Sequence, residues 1–171
     1  YDIRDLGRQL LPVGMLVVLD SIFNRIIRNR QRGRNTWIYI DEIYLLFQHE
    51  YSANFLFTLW KRVRKYRACC TGITQNVDDL LQSHTARTML ANSEFLVMLN
   101  QAATDRAELA RLLNISDNQL SYITNVESGR GLIKCGSAIV PFMDNFPKHT
   151  RLYRLMTTKP SDVDDTGGRA V

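Results

Sequence analysis

Hydrophobic positions recur at two different spacings along this chain, and the change of spacing separates helices from strands. Between about Arg8 and Arg30 the apolar residues follow a helical repeat, which includes Met15, Leu19, Ile22, Phe23 and Ile26. Between about Ser52 and Tyr66 a second apolar stripe has basic residues on its other side, and it consists of Phe55, Leu56, Leu59, Trp60 and Val63. We predict one helix in each stretch.

Short runs of β-branched and aromatic residues alternate with these helices and predict strands. They read YDI, TWIYID, ACCTGIT and EFLVMLN in chain order. Short helices are expected from the third run to Asn92, and a further helix from about Arg106 to Leu113. The stretch SDNQ has the form of a capping box, with Ser116 as N-cap and Gln119 at the third helical position. This alternation predicts a mostly parallel sheet with helices on its faces.

The pattern changes after Gly129. The runs GLIKC, AIVPF and RLYRLM follow one another with short connections, which suggests an antiparallel ribbon at one edge of the sheet. Residues 158–171 are polar without periodicity, and we expect a disordered tail there. No signal peptide opens the chain, and no apolar stretch is expected to approach the roughly 20 residues that cross a bilayer.

Composition indicates one globular domain with a basic surface. The chain has 171 residues, of which 45% are hydrophobic and 23% charged, and its net charge is +5. Cations cluster in Arg25–Arg34 and in Lys61–Arg67, where solvated helix faces and a phosphate-binding surface are alternative explanations. The three cysteines lack the spacing of a metal site, so we expect small buried apolar residues at Cys69, Cys70 and Cys135.

Two adjacent carboxylates, Asp41 and Glu42, follow the predicted strand Thr36 to Ile40. Ligands of open α/β sheets bind outside the carboxyl ends of the strands. An apolar strand that ends in Asp-Glu has the form of a Walker B segment, in which the Asp holds Mg²⁺ through water and the Glu activates the water that attacks the γ-phosphate. The alternative is a strand end followed by an acidic first turn of a helix, which the helix dipole favours.

The next strand ends with a polar side chain at the corresponding position. Gln75 lies near the end of the run CCTGITQN, where a neutral donor could contact a γ-phosphate or the attacking water. The segment RVRKYR precedes this strand. A cation at such a helix end can reach the nucleotide of a neighbouring subunit, the role called an arginine finger.

The order of these motifs resembles a known family. YDIRDL, WIYIDEIYLLF, RKYR, GITQNVDDLL, LANSEFLVMLNQ and ESGRGLIKCG occur in the order seen in the TraC/TrbE/CagE-type ATPases of type IV secretion and conjugative DNA transfer, in the HerA/FtsK branch of P-loop NTPases. The resemblance covers about residues 1–157. It implies a RecA-like α/β core that uses ATP and Mg²⁺ and works as a homo-hexamer with secretion channel components, at the cytoplasmic face of the bacterial inner membrane.

The same resemblance assigns roles to five positions. Asp41 and Glu42 match the Walker B pair, with Asp41 on Mg²⁺ through water and Glu42 as the catalytic base. Gln75 matches the polar residue of the following strand, and Arg64 matches the arginine that acts in trans. Arg130 matches the glycine-flanked basic residue before the terminal ribbon, and we expect it to take part in cofactor binding.

One departure from the family pattern concerns the phosphate-binding loop G-x-x-x-x-G-K-[ST], because no Lys in this sequence follows a Gly. Residues 1–157 are therefore expected to form the C-terminal portion of a longer RecA-like ATPase domain, inactive alone. The missing strand should lie between the strand that ends at Gln75 and the strand at about Glu94 to Leu99. We expect either a gap there, filled by another segment or chain, or direct pairing of those two strands.

Other classes of function share some of these features. A DNA translocase or coupling protein of the same superfamily would carry the same motifs. A non-catalytic interaction module could retain the fold, although Asp41, Glu42 and Gln75 argue against it. A nucleic-acid-binding domain would rest on charge, with DNA contacts through Arg25–Arg34 and Lys61–Arg67.

Overall fold

The fold was obtained as a computed structural model that describes residues 6–157. The helices are α1 (Gly7–Gln31), α2 (Glu50–Arg62), α3 (Val77–Gln82), α4 (His84–Ala91), α5 (Ala103–Leu113), α6 (Asp117–Leu120) and α7 (Arg151–Met156). The strands are β1 (Thr36–Ile40), β2 (Ala68–Gly72), β3 (Phe95–Met98), β4 (Arg130–Cys135) and β5 (Ala138–Met143). The order predicted from α1 to β5 is confirmed. The predicted strand YDI and the tail 158–171 lie outside the described residues.

The strands form two sheets. β1 and β2 are parallel, in register from Thr36 opposite Ala68 to Ile40 opposite Gly72. β3, β4 and β5 form an antiparallel sheet in that order. The predicted α/β class is confirmed, but a parallel pair and a separate antiparallel sheet take the place of one mostly parallel sheet.

β2 and β3 do not pair with each other. Among residues 6–157, each of these two strands keeps one edge without a strand partner. Direct pairing of β2 with β3, one of the two expected outcomes, is therefore wrong, and no strand of residues 6–157 pairs with either free edge. A gap one strand wide between them stays a prediction.

Helices α1 and α2 pack on one face of the parallel pair. Ile26 and Leu56 are fully buried in this first core, and Phe23 meets the Phe55 and Tyr66 rings edge-on at centroid distances of 6.4 and 5.5 Å. Side chains alternate across a strand, so the neighbours of the buried Ile38 point to the opposite face. That face is open in the described chain, because Trp37 and Tyr39 are 64% and 68% exposed.

Helix α3 connects the first core to the core of the second sheet. Leu80 packs in the first core, whereas Val77 and Leu81 pack in the second, together with Met98 and Leu132. Leu90 of α4 contacts both cores. The α3–α4 pair therefore sets the position of one sheet relative to the other.

Side-chain caps fix where the short helices begin. Asn76 accepts a hydrogen bond from the backbone of Asp79 at 3.1 Å, and this caps α3. Ser116 and Gln119 form both bonds of the predicted capping box at α6, at 3.4 and 3.0 Å. Such local hydrogen bonds depend little on the rest of the fold, which explains why the sequence revealed this one.

The last predicted ribbon segment, RLYRLM, is helical and forms α7. The hydroxyl of Thr150 accepts a hydrogen bond from the backbone of Tyr153 at 3.2 Å, so a capped helix replaces the third ribbon strand. The ribbon itself is confirmed for β4 and β5.

The cysteine prediction is wrong at two positions. Cys69 and Cys135 are exposed, and Cys70 is partly buried. Strand alternation places Cys69 opposite Trp37 on the open face, and Cys135 lies at the β4–β5 turn. Burial, with a smaller contribution from the charge of Cys69, raises the pKa of the Cys70 thiol to about 12.

Helix α1 spans the stretch in which the sequence predicts a helix, from about Arg8 to Arg30. Among the described residues it is the one helix with the length and composition to cross a membrane, over Gln9–Gln31 with a mean hydropathy of 1.8. Core helices of soluble proteins share this length and composition. The same helix contributes Leu19 and Ile26 to the buried core.

A core truncation tests this packing. Leu56→Ala should lower the free energy of unfolding by about 2–5 kcal/mol, because it opens a cavity where α2 meets the sheet. The matched control is Leu155→Ala, at a leucine that is 73% exposed, and its effect should stay within about 0.5 kcal/mol. Urea unfolding followed by circular dichroism measures both, and equal effects would contradict the described core.

Candidate functional site

Glu42 stands at a strained backbone turn after β1. Its φ and ψ are 46° and 49°, in the left-handed region that non-glycine residues rarely adopt. The Glu42 N–H donates to the Asp41 carboxylate at 3.0 Å, and the next backbone N–H, of Ile43, donates to the Ile73 carbonyl at 3.0 Å. The chain bends here and joins the end of β2. Strain of this kind concentrates at functional sites.

Gln75 reaches the same place from β2. The pairing of the strands continues past their ends, because the Ile73 N–H donates to the Ile40 carbonyl at 2.8 Å. Gly72 leaves room for this turn, since a Cβ there would lie 2.5 Å from Cδ1 of Ile43. The Gln75 amide then donates to Oε1 of Glu42 at 3.3 Å. Two residues predicted from separate motifs are therefore in contact.

The second carboxylate oxygen of Glu42, Oε2, is buried and has no hydrogen-bond partner among the described residues. An acceptor buried without a donor costs about 1–3 kcal/mol, and more when it carries charge. This atom therefore marks a position where a donor, such as a water molecule or a hydrated cation, would be stabilising.

The carboxylate pair fits Mg²⁺ held through water. Asp41 is exposed beside Glu42, and carboxylate oxygens are preferred ligands of this hard cation. Within residues 6–157 no three His, Cys, Asp or Glu side chains group as a metal site. A cation here would thus take most of its ligands from water and from a bound phosphate, as Mg²⁺ commonly does.

Arg64 lies at the opposite end of the parallel pair, where both strands begin. It belongs to the turn Val63–Tyr66 that precedes β2, and it is exposed. Because the two strands are parallel and in register, their starts lie together, as the 3.1 Å bond from the Thr36 N–H to the Arg67 carbonyl shows. Five residues of strand span roughly 16 Å. Arg64 is therefore too far away to serve Glu42 of its own chain.

The two basic segments of the sequence meet at this opposite end. The Arg30 guanidinium lies over the Tyr66 ring, 5.2 Å from its centroid, and the Asn29 amide donates to the Thr36 hydroxyl at 3.0 Å. We call the resulting patch the basic edge, formed by the exposed cations Arg28, Arg30, Arg32, Arg34, Arg64, Lys65 and Arg67. Within the described part of the chain, none of them forms an ion pair with a carboxylate.

Arg130 begins β4 in the second sheet. It pairs with Glu127 at 3.1 Å, and it makes no hydrogen bond to Asp41, Glu42 or Gln75. Its two neighbours must be glycine. A Cβ on Gly129 would lie 2.3 Å from the Asp144 carbonyl oxygen, and a Cβ on Gly131 would lie 2.2 Å from that of Met98. Close packing thus accounts for the glycines of this motif.

One supporting residue was missed in the sequence. The Thr74 hydroxyl accepts a hydrogen bond from the Asn76 N–H at 3.1 Å, and this fixes the turn that carries Gln75. Its signal was present, because a Thr two residues before an Asn at a strand end is typical of such turns.

Comparison with known proteins identifies the family and the fold. The sequence profile of the TraG P-loop domain family matches residues 2–141. The solved structure of VirB4 of Thermoanaerobacter pseudethanolicus is similar, with 26% sequence identity and a TM-score of 0.69. The match covers 78% of this chain and 37% of that chain, so the present chain spans little more than a third of its length. No curated protein sequence matches this chain.

The family match spans both sheets up to β5, and the structural match reproduces the mixed α/β fold. The resemblance to P-loop ATPases of type IV secretion and conjugation, predicted from the ordered motifs, is thus confirmed. The chain belongs to the TraG P-loop domain family.

Proposed function

We propose that this chain supplies the catalytic side of an ATPase site in a type IV secretion motor, which couples ATP hydrolysis to transfer of DNA or protein and to pilus assembly. The observation that carries the proposal is the Glu42–Gln75 contact at the carboxyl ends of β1 and β2. One carboxylate oxygen of Glu42 accepts a hydrogen bond from Gln75, and the other is buried without a hydrogen-bond partner among the described residues. Carboxylate and amide are the groups that hold a water for attack on a γ-phosphate.

The geometry divides the work between the two oxygens of Glu42. In this proposal Gln75 holds Oε1, and Oε2 accepts a proton from the attacking water as the water oxygen bonds to the γ-phosphorus and the bond to ADP breaks. Asp41, exposed beside Glu42, orients the hydration shell of the cation. Mg²⁺ bound with ATP would supply neutralisation of the phosphate charge.

A phosphate-binding loop from outside these 171 residues completes the site. The unpaired edges of β2 and β3, and the open face that carries Trp37 and Tyr39, support this part of the proposal. Parallel sheets are normally covered on both faces and paired along their inner edges. Residues 1–157 are accordingly the C-terminal portion of a longer RecA-like domain, and this chain alone does not hydrolyse ATP.

The position of Arg64 supports action between subunits. The end of the parallel pair at which the strands begin is basic, whereas the end at which they finish carries Asp41 and Glu42. Two copies arranged head to tail therefore bring unlike charges together. Repeated around a closed ring, this contact places Arg64 at the phosphates bound by its neighbour. The proposed assembly is a homo-hexamer at the cytoplasmic face of the inner membrane, in contact with the secretion channel.

A second candidate function rests on the basic edge. Exposed arginines without carboxylate partners suit phosphate groups, which also favours a DNA translocase of the same superfamily. In that case Arg25–Arg34 and Lys61–Arg67 contact the DNA backbone.

The catalytic role of Glu42 can be tested in the longer polypeptide that joins this chain to a phosphate-binding loop. Glu42→Gln should abolish ATP hydrolysis and leave ATP binding largely intact, because the amide cannot accept the proton. Glu50→Gln, at an exposed position in the first turn of α2, is the matched control and should keep full turnover. Steady-state hydrolysis and equilibrium binding give the two readouts. Turnover by Glu42→Gln within about tenfold of the parent would exclude Glu42 as the base.

The role of Arg64 can be tested by mixing subunits. Arg64→Ala should lower turnover by about 10³-fold or more while monomer stability stays unchanged, as expected for an arginine finger. Mixed with Glu42→Gln subunits, it should recover part of the activity, because some interfaces then combine an intact Glu42 with an intact Arg64. Arg111→Ala, at an exposed arginine of α5, serves as control. Mixed rings that form without any recovery would assign Arg64 a structural role.

DNA binding by this chain separates the two candidate functions. If the basic edge binds DNA, Arg32→Ala with Arg34→Ala should weaken binding and reduce the salt dependence of log K by about 1–2. Arg111→Ala with Arg154→Ala removes the same charge elsewhere and should change the salt slope less. Fluorescence anisotropy at several salt concentrations measures this, and equal slopes for the two double variants would exclude a DNA site at the basic edge.

A further inference from the structure

The hydrogen bond from Gln75 to Glu42 is too weak to hold the glutamine side chain by itself. Its length is 3.3 Å, longer than most N–H···O bonds, and Gln75 is exposed. A glutamine side chain also loses the freedom of several torsions when it is held in one place. The main chain that carries Gln75 must therefore direct the amide toward Glu42.

The two neighbours of Gln75 are hydrogen-bonded to each other around it. The Thr74 hydroxyl accepts a hydrogen bond from the Asn76 N–H at 3.1 Å and donates one to the Asn76 carbonyl at 3.2 Å. A hydroxyl that bonds to the main chain two residues further on fixes the backbone torsions between them. We call residues 74–76 the glutamine turn.

Helix α3 holds the far end of the glutamine turn. The Asn76 side chain accepts a hydrogen bond from the Asp79 N–H at 3.1 Å and donates one to the Asp79 carboxylate at 2.6 Å. Val77, Leu80 and Leu81 of α3 are 9%, 5% and 2% exposed. Since these side chains pack in two cores, α3 cannot turn without disturbing the packing of one of them.

Strand β1 holds the near end of the same turn. Ile73 donates its N–H to the Ile40 carbonyl at 2.8 Å and accepts from the Ile43 N–H at 3.0 Å. The glutamine turn is thus fixed at both ends by the fold. Within the turn, the Thr74 hydroxyl is the side-chain group that sets the direction of Gln75.

We propose that Thr74 is a positioning residue of the ATPase reaction. Its hydroxyl holds the glutamine turn in the shape that directs the Gln75 amide to Oε1 of Glu42, and this leaves Oε2 for the attacking water. The inference rests on the proposed function, which makes Glu42 the base. Thr74 acts through Gln75 and contacts neither the nucleotide nor the cation. Serine can replace it because one hydroxyl oxygen both accepts and donates, whereas valine has the shape without these bonds.

Nuclear magnetic resonance of this chain tests the positioning without nucleotide. Glu42→Gln should shift the side-chain amide resonances of Gln75, because the variant replaces the carboxylate that accepts its hydrogen bond. The same shift should appear when Glu42→Gln is combined with Thr74→Ser, and it should be lost when Glu42→Gln is combined with Thr74→Val. A shift of equal size in the Thr74→Val chain would overturn the proposal.

Thr88→Val is the matched control for the loss of a threonine hydroxyl. The Thr88 hydroxyl donates to the His84 carbonyl at 3.0 Å on α4, so this variant also removes a local hydrogen bond. It should leave the response of Gln75 to Glu42→Gln unchanged, and loss of the response in this variant too would overturn the proposal. Urea unfolding followed by circular dichroism shows that a lost response is not a lost fold.

A double-mutant cycle in the longer polypeptide tests whether Thr74 acts through Gln75. Thr74→Val should lower kcat about tenfold or more with KM for ATP nearly unchanged, because the hydroxyl contacts no part of the nucleotide. Thr74→Ser should keep most of the kcat. In a Gln75→Ala background, Thr74→Val should lower kcat no further, since no side chain remains to be positioned. Losses of kcat that multiply in the double variant would overturn the proposal.

The same measurements separate this inference from the proposed function. Hydrolysis that is lost in Glu42→Gln but complete in Thr74→Val would overturn the positioning role and leave the ATPase intact. A longer polypeptide that does not hydrolyse ATP would overturn the proposed function. If Thr74→Val still abolishes the response of Gln75 in this chain, the control of Gln75 by Thr74 would be retained.

Discussion

The structure depends on one short helix that packs into two cores at once. Leu80 and Leu81 are neighbours on α3, yet Leu80 belongs to the core under the parallel strands and Leu81 to the core under the antiparallel sheet. Both are almost fully buried. Adjacent side chains on a helix point about 100° apart, so Leu80 and Leu81 face different directions. Each side of α3 packs against a different core, and this fixes the two sheets relative to the helix. The two cores therefore meet at α3, while β2 and β3 belong to separate sheets.

The parallel pair is polarised along its strands, and this organises the candidate site. Both strands begin among arginines and end at Glu42 and Gln75. Because the pairing is in register, cations collect at one end and carboxylates at the other. The cations at the start of β1 and β2 are too far from the carboxylates at the end of the same strands to pair with them. A second copy arranged head to tail would allow such pairs, and this geometry therefore supports both the proposed shared site and the proposed ring.

Several unfavourable features of residues 6–157 fit the proposal that a phosphate-binding loop and its strand complete the domain. The aromatic side chains of Trp37 and Tyr39 are exposed, the inner edges of β2 and β3 lack strand partners, and Glu42 has a strained backbone and a buried oxygen without a donor. Exposed aromatic faces, open sheet edges and orphaned acceptors each cost free energy. A strand, a covering helix and a bound phosphate would satisfy all three.

The sequence by itself determined what local chemistry controls. The order of elements from α1 to β5, the capping box at Ser116 and the strand-end position of Asp41, Glu42 and Gln75 follow from periodicity and from hydrogen bonds between near neighbours. Tertiary structure decided the rest. Contact between Glu42 and Gln75 needs the register of β1 on β2, and the exposure of Cys69 depends on which face of the pair the helices cover. Such contacts and exposures cannot be read from a local residue pattern, because they depend on how segments distant along the chain pack together.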